Sequence, residues 1–100
     1  MGTGSQTKRR TRTKGDEKPK AEPGRLWNVI LWNDDVNQMT YVVFVLQRIF
    51  GHSRELATQL MLEAHTHGKA VVATEERERA ELHATQLHAF GLQATIARAS

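Results

Sequence analysis

The stretch Leu26-Trp27-Asn28-Val29-Ile30-Leu31-Trp32 constrains this chain more than any other. It is β-branched, aromatic and aliphatic almost throughout, too short for a packed helix, and apolar on both faces of an extended chain. That pattern predicts a central strand. It ends abruptly at the polar run Asn33-Asp34-Asp35-Val36-Asn37-Gln38, after which the period of the apolar residues changes. Two readings of this loop stand open. Short polar side chains of this kind form Asx turns that cap a following helix. Adjacent carboxylates beside an amide also suit holding a cation through charge-assisted hydrogen bonds.

Beyond the loop, Met39, Val42, Val43, Leu46 and Phe50 share one face of a helix that Gly51 stops. Ser53 is placed to cap a second helix, with Ala57, Leu60, Met61 and Ala64 at the same spacing and His67-Gly68 at its end. Lys69 to Ala73 reads as a short strand. Thr74 then reads as the N-cap of a third helix, with Glu75, Glu76 and Glu78 in its first turn and Ala80, Ala84 and Leu87 as its apolar stripe to Phe90. Gly91 ends that helix, and Leu92 to Ile96 alternates as a last strand. The expected fold is α+β in the order β-α-α-β-α-β, a three-stranded antiparallel sheet with three helices on one side.

Charge divides the chain in two. The formal net charge of +3 hides a segment, residues 1–25, with eight Lys/Arg against three Asp/Glu, and a remainder with six against eight. The first segment is poor in apolar residues and carries Pro19 and Pro23, so it reads as a flexible basic extension to a folded domain over residues 26–100. A nucleic-acid-binding domain places positive charge on a folded face, which argues against that class for the core. Lys8-Arg9-Arg10, Arg12 and Lys14 leave an alternative open, a small nucleic-acid or ribosome-associated protein that binds through its arm. There is no cysteine, which removes disulfides, thiolate zinc sites and cysteine nucleophiles. No run of apolar residues is long enough to span a bilayer, and a cytoplasmic protein without membrane contact is expected.

Chemistry-bearing motifs are few. Glycine-rich phosphate loops and nucleophile-elbow serines are absent. His65 and His67 stand two apart and point to different helix faces, so a metal-dependent enzyme using them with Asp34 and Asp35 lacks a recognisable ligand spacing, and no metal or cofactor is expected. What remains is Asn33, Asp35 and His65 beside an apolar wall of Met39, Val42, Val43 and Met61. Periodicity alone assigns that wall to the core. Its two methionines are also the kind of adaptable side chain used where apolar partners vary.

Assembled in order, these residues resemble the ClpS adaptor family. The likeness rests on the apolar strand entering Asn33-Asp34-Asp35, on Met39 and Tyr41-Val42-Val43, and on Phe50-Gly51. It continues through Arg54-Glu55-x-Ala57-Thr58-x-x-Met61-Leu62 and His65-x-x-Gly68-Lys69-Ala70, and covers about residues 26–98. The resemblance implies a non-enzymatic, monomeric adaptor. Such proteins recognise N-degron substrates by an exposed N-terminal Phe, Leu, Tyr or Trp and deliver them to a Clp-family AAA+ unfoldase. It implies that Asn33, Asp35 and His65 hold the substrate α-ammonium and that Met39, Val42, Val43, Met61, Ala64 and Leu92 form the side-chain pocket. Met39 would be its gate. Asp34 and Asn37 would support the rim, and Glu78 and His83 would contact an unfoldase of the ClpC or ClpA type. Asn37-Gln38 replaces a Thr-Pro pair usual in the family, and Ala64 replaces a larger residue. The short link after Ala73 is similar to that of the actinobacterial branch, whose partner is of the ClpC type.

Overall fold

The apolar heptapeptide becomes β1 (Leu26–Trp32), the middle strand of three. In this computed structural model residues 25–99 are described; residues 1–24 and Ser100 lie outside, and with them all but the last residue of the expected basic extension. The elements that follow are α1 (Met39–Phe50), α2 (Arg54–His67), β2 (Lys69–Glu76), α3 (Arg77–Ala89) and β3 (Ala94–Arg98). The sheet order is β2-β1-β3, and β1 is antiparallel to both neighbours. This is the expected α+β architecture.

Strand pleating decides which residues meet the helices. Val29 and Leu31 point to the helical layer and are buried with Ala70, Val72 and Ala94. Among the described residues the other face of the sheet lacks such cover, although the sequence is apolar there too: Trp32 and Val71 are exposed. Polar clamps between strands partly compensate. The Trp32 indole N–H donates to Thr95 Oγ1 (2.8 Å), the Thr74 hydroxyl donates to Asn28 Oδ1 (2.7 Å), and Lys69 Nζ lies 5.5 Å from the centre of the Trp32 ring.

In α1 the buried stripe is Val42, Val45 and Leu46, turned slightly from the expected one, so Val43 is only partly covered. α2 starts where predicted, with Ser53 Oγ accepting from the Leu56 N–H (3.0 Å). It buries Ala57, Met61 and Ala64. α2 packs on β2, α3 touches all three strands, and α1 leans on both of those helices. Small residues let α3 approach closely: Ala80, Ala84 and Leu87 form its inner face. Leu46 and Leu87 are the largest fully buried side chains, each contributing about 2 kcal/mol through burial.

The start of α3 departs from expectation. Thr74 is no helix cap, and Glu75 and Glu76 are strand residues; β2 runs on to Glu76, which occupies the N-cap position without a side-chain capping bond. The cause is a β-bulge. Val29 pairs with Ala73 and Ile30 with Val71, which leaves Val72 without an opposite residue. Val72 and Ala73 therefore both turn inward, and the alternation beyond them is shifted by one. Glu75 consequently meets α3, where its Oε1 lies 2.8 Å from His83 Nδ1. His52 Nε2 sits 2.8 Å from the Val72 carbonyl oxygen. Phe50 stacks on His52 and meets His83 edge-on. The last helix and strand also shift slightly: α3 ends at Ala89, and β3 begins at Ala94, so Leu92 lies in the turn between them.

Candidate functional site

Four segments converge beyond the C-terminal end of β1: the loop 33–38, the first turn of α1, the last turns of α2, and the turn from α3 into β3. Backbone bonds fix the meeting. The Trp32 N–H donates to the Gln93 carbonyl (3.0 Å) and the Asn33 N–H to the Gly68 carbonyl (2.9 Å). Gly68 closes α2 with φ 91°, a left-handed conformation that suits glycine because a Cβ would be strained there. Asn33 is thereby pinned to the same helix end that carries His65.

Between these segments opens a cleft of about 230 Å³. Leu31, Met39, Val42, Met61, Ala64 and Leu92 supply its apolar lining, and Asn33, Asp34, Asp35, Asn37, Gln38 and His65 its polar one. All but Val43 of the pocket residues expected from the sequence are therefore brought together. Val43, one helical step of about 100° from Val42, instead lines a neighbouring hollow between α1 and α2. Leu31, Trp32 and Gln38 line the cleft without having been foreseen. Leu31 reads in sequence simply as a core strand residue, and only its place at the strand's end carries a hint. Met39 remains 43% exposed at the mouth, whereas Leu92 is only 3% exposed and forms a fixed wall.

The loop is held by its own side chains. Asp34 Oδ1 accepts from the Val36 N–H (2.7 Å) and its Oδ2 from the Asn37 amide (2.9 Å), an Asx turn. The Val36 N–H, followed by the Asn37 amide, holds the Asp34 carboxyl below its ordinary pKa. The Asn37 Nδ2 also donates to the Gly91 carbonyl (3.0 Å), and the Tyr41 hydroxyl donates to the adjacent Phe90 carbonyl (2.6 Å). Two side chains flanking the start of α1 thus grip consecutive carbonyls next to Leu92. The Asn37 side chain is thus a hydrogen-bonded latch between the loop and the turn before β3. Asp35, by contrast, has only a long 3.5 Å contact from the Asn33 amide, and His65 makes no hydrogen bond among the described residues.

The remaining expected residues lie elsewhere. Glu78 is exposed in the first turn of α3. His83, expected as an unfoldase contact, is 6% exposed and faces Glu75, which leaves it little area to offer a partner. His67 does not line the cleft, and among the described residues no three His, Asp or Glu side chains are grouped to hold a metal ion. None of the described helices is long and apolar enough to cross a membrane.

A preformed cleft, apolar inside and charged at the rim, defines a ligand-recognition module on a small α+β scaffold. The family model for the ATP-dependent Clp protease adaptor protein ClpS matches residues 22–95. The chain is 50% identical over 72 residues to the ATP-dependent Clp protease adapter protein ClpS of Mycobacterium tuberculosis, covering 72% of this chain and 71% of that one. It is 47% identical over 78 residues to the Corynebacterium jeikeium protein of the same description, covering 78% and 77%. A structure of Agrobacterium tumefaciens ClpS2 bound to L-phenylalaninamide superposes with a TM-score of 0.71 at 32% identity, covering 74% of this chain and 96% of that one. The chain belongs to the ClpS family of Clp protease adaptor proteins.

Proposed function

We propose that this protein binds the free N-terminus of substrates that begin with Phe, Leu, Tyr or Trp and hands them to a Clp-family AAA+ unfoldase of the ClpC or ClpA type. One observation carries the reading: an apolar cleft opens beside a carboxylate that the fold leaves uncommitted, Asp35. An α-ammonium presents three donors, and Asn33 Oδ1, the Asp35 carboxylate and a His65 ring nitrogen are three acceptors at one rim. The first side chain enters between Val42, Met61, Ala64 and Leu92. Cavities of ~150 Å³ hold benzene, so about 230 Å³ leaves room for an aromatic ring. The ligand of the Agrobacterium protein, L-phenylalaninamide, combines a free amine with such a ring. Met39 closes the mouth against side chains branched at Cβ. Asp34 and Asn37 shape the loop instead of touching the substrate, because both Asp34 carboxylate oxygens and the Asn37 Nδ2 already hold it together and to the Gly91 carbonyl. The domain works as a monomer, with exposed Glu78 as a contact for the unfoldase and His83 acting behind that surface.

The test is binding of a labelled peptide that begins with Phe against the same peptide acetylated at its N-terminus. Binding that disappears on acetylation is expected. Equal binding of the two would refute recognition of the ammonium and with it the adaptor reading of this cleft.

A further inference from the structure

The second hollow adjoins the cleft along the seam between α1 and α2, where Met39, Val43 and Gln47 face Arg54, Thr58 and Met61. Met39 and Met61 line both cavities, so the two are continuous across a methionine rim. On α2, Arg54, Thr58, Met61 and His65 recur at intervals of four, three and four and form one stripe. Met39, Val43 and Gln47 do the same on α1. The groove therefore runs from His65 to Arg54, eleven residues along a helix or about 16 Å.

Its two ends differ in charge. Asp34 and Asp35 stand at one end and Arg54 at the other. Arg54 has no carboxylate partner among the described residues. It also occupies the first turn of α2, where the helix dipole opposes a cation.

We propose that this seam receives the residues that follow the N-terminal one, and that Arg54 favours an acidic side chain at the fourth or fifth position of the substrate. The inference rests on the N-terminal recognition proposed above. A chain anchored by its ammonium at Asn33, Asp35 and His65 and extended at about 3.3 Å per residue covers the seam in about five residues. Its second and third residues pass over Met39 and Met61, whose flexible thioethers adapt to different shapes. The Thr58 hydroxyl and the Gln47 amide stand farther along as partners for its backbone. The occupant is the substrate itself, since the groove continues its pocket and the charge order, negative then positive, complements an ammonium followed by a carboxylate.

The experiment compares three peptides, Phe-Ala-Ala-Glu-Glu, Phe-Ala-Ala-Lys-Lys and Phe-Ala-Ala-Ala-Ala, each extended by the same labelled tail and each with an acetylated control. They are titrated against the full chain and against Arg54→Ala and Arg54→Glu. The Glu peptide should bind about two- to fivefold tighter than the Ala peptide at low salt, as expected of one exposed ion pair, with the margin shrinking as salt rises. Arg54→Ala should erase that margin and Arg54→Glu should turn it into a preference for Lys, while acetylation still abolishes binding to both variants. Equal affinity for the three free peptides, or a Glu preference that survives both substitutions, would overturn the inference and leave N-terminal recognition standing. Failure of every free peptide to bind, or binding indifferent to acetylation, would overturn both.

Discussion

Two carboxylate and imidazole clusters occupy this small domain, and they are built in opposite ways. Between the end of β2 and the middle of α3, Glu75 and His83 meet at 2.8 Å beside Phe50, which also stacks on His52 with ring centres 5.2 Å apart. At the end of β1, Asp35 and His65 share the rim of a cleft, yet neither makes a short hydrogen bond among the described residues. The residue types are almost the same. Groups that satisfy each other inside the fold stabilise it, and groups left facing water at the edge of an apolar hollow are available to a ligand.

Asp35→Ala tests this contrast most severely. It should weaken binding of a Phe peptide about 100-fold, since a desolvated ammonium loses its counter-charge, while the urea midpoint stays within error. His83→Ala should do the reverse, costing about 2 kcal/mol in urea unfolding by stranding the Glu75 carboxylate, with peptide affinity per folded molecule unchanged. If His83→Ala abolished binding without loss of stability, the division between the two clusters would fail. Asn37→Ala sharpens it from the side of the loop. With the latch to Gly91 removed, a drop in affinity of about threefold and weaker discrimination between Phe and Leu are expected, together with about 1 kcal/mol or less of stability. Undiminished selectivity would show that the Leu92 wall stands without help.

The smallest effect is the pH dependence of Asp34. Its folded pKa lies below the ordinary value, so its contribution to loop order is complete above the usual carboxylate range and is lost as pH falls through the lowered value. Exchange of the Val36 amide proton, followed by NMR, should accelerate along that acid limb, and Asp34→Asn should flatten it. An unchanged limb in the variant would assign the effect to another carboxyl group.

Much of the fold is legible in the residues because hydrophobic period reports burial directly. Leu26 to Trp32 forms a central strand, and Ser53 and Gly51 mark helix ends where expected. The extension of β2 was not legible: a bulge inserts one residue and shifts the alternation, so Glu75 and Glu76 mimic the acidic first turn of a helix. In the site, Asn33, Asp35 and His65 beside a wall of Met39, Val42, Val43 and Met61 are legible as a group, and the cleft brings all of them together except Val43. Val43 against Val45 shows the limit of that reading. Both are valines on one helix, and only the packed structure tells which one is buried and which lines a groove. The bonds of Asn37 and Tyr41 to the 90–91 turn link positions about fifty residues apart, and local sequence carries no sign of them.

The bulge at Val72 has a second effect, at the border of the sheet. β2 pairs with β1 on one side, and no strand covers its other side among the described residues. An uncovered edge strand invites any extended polypeptide to join the ladder. One extra residue bends the border and breaks its regular spacing of donors and acceptors. The same kink that turns Glu75 inward makes this edge of the sheet a poor template for another strand.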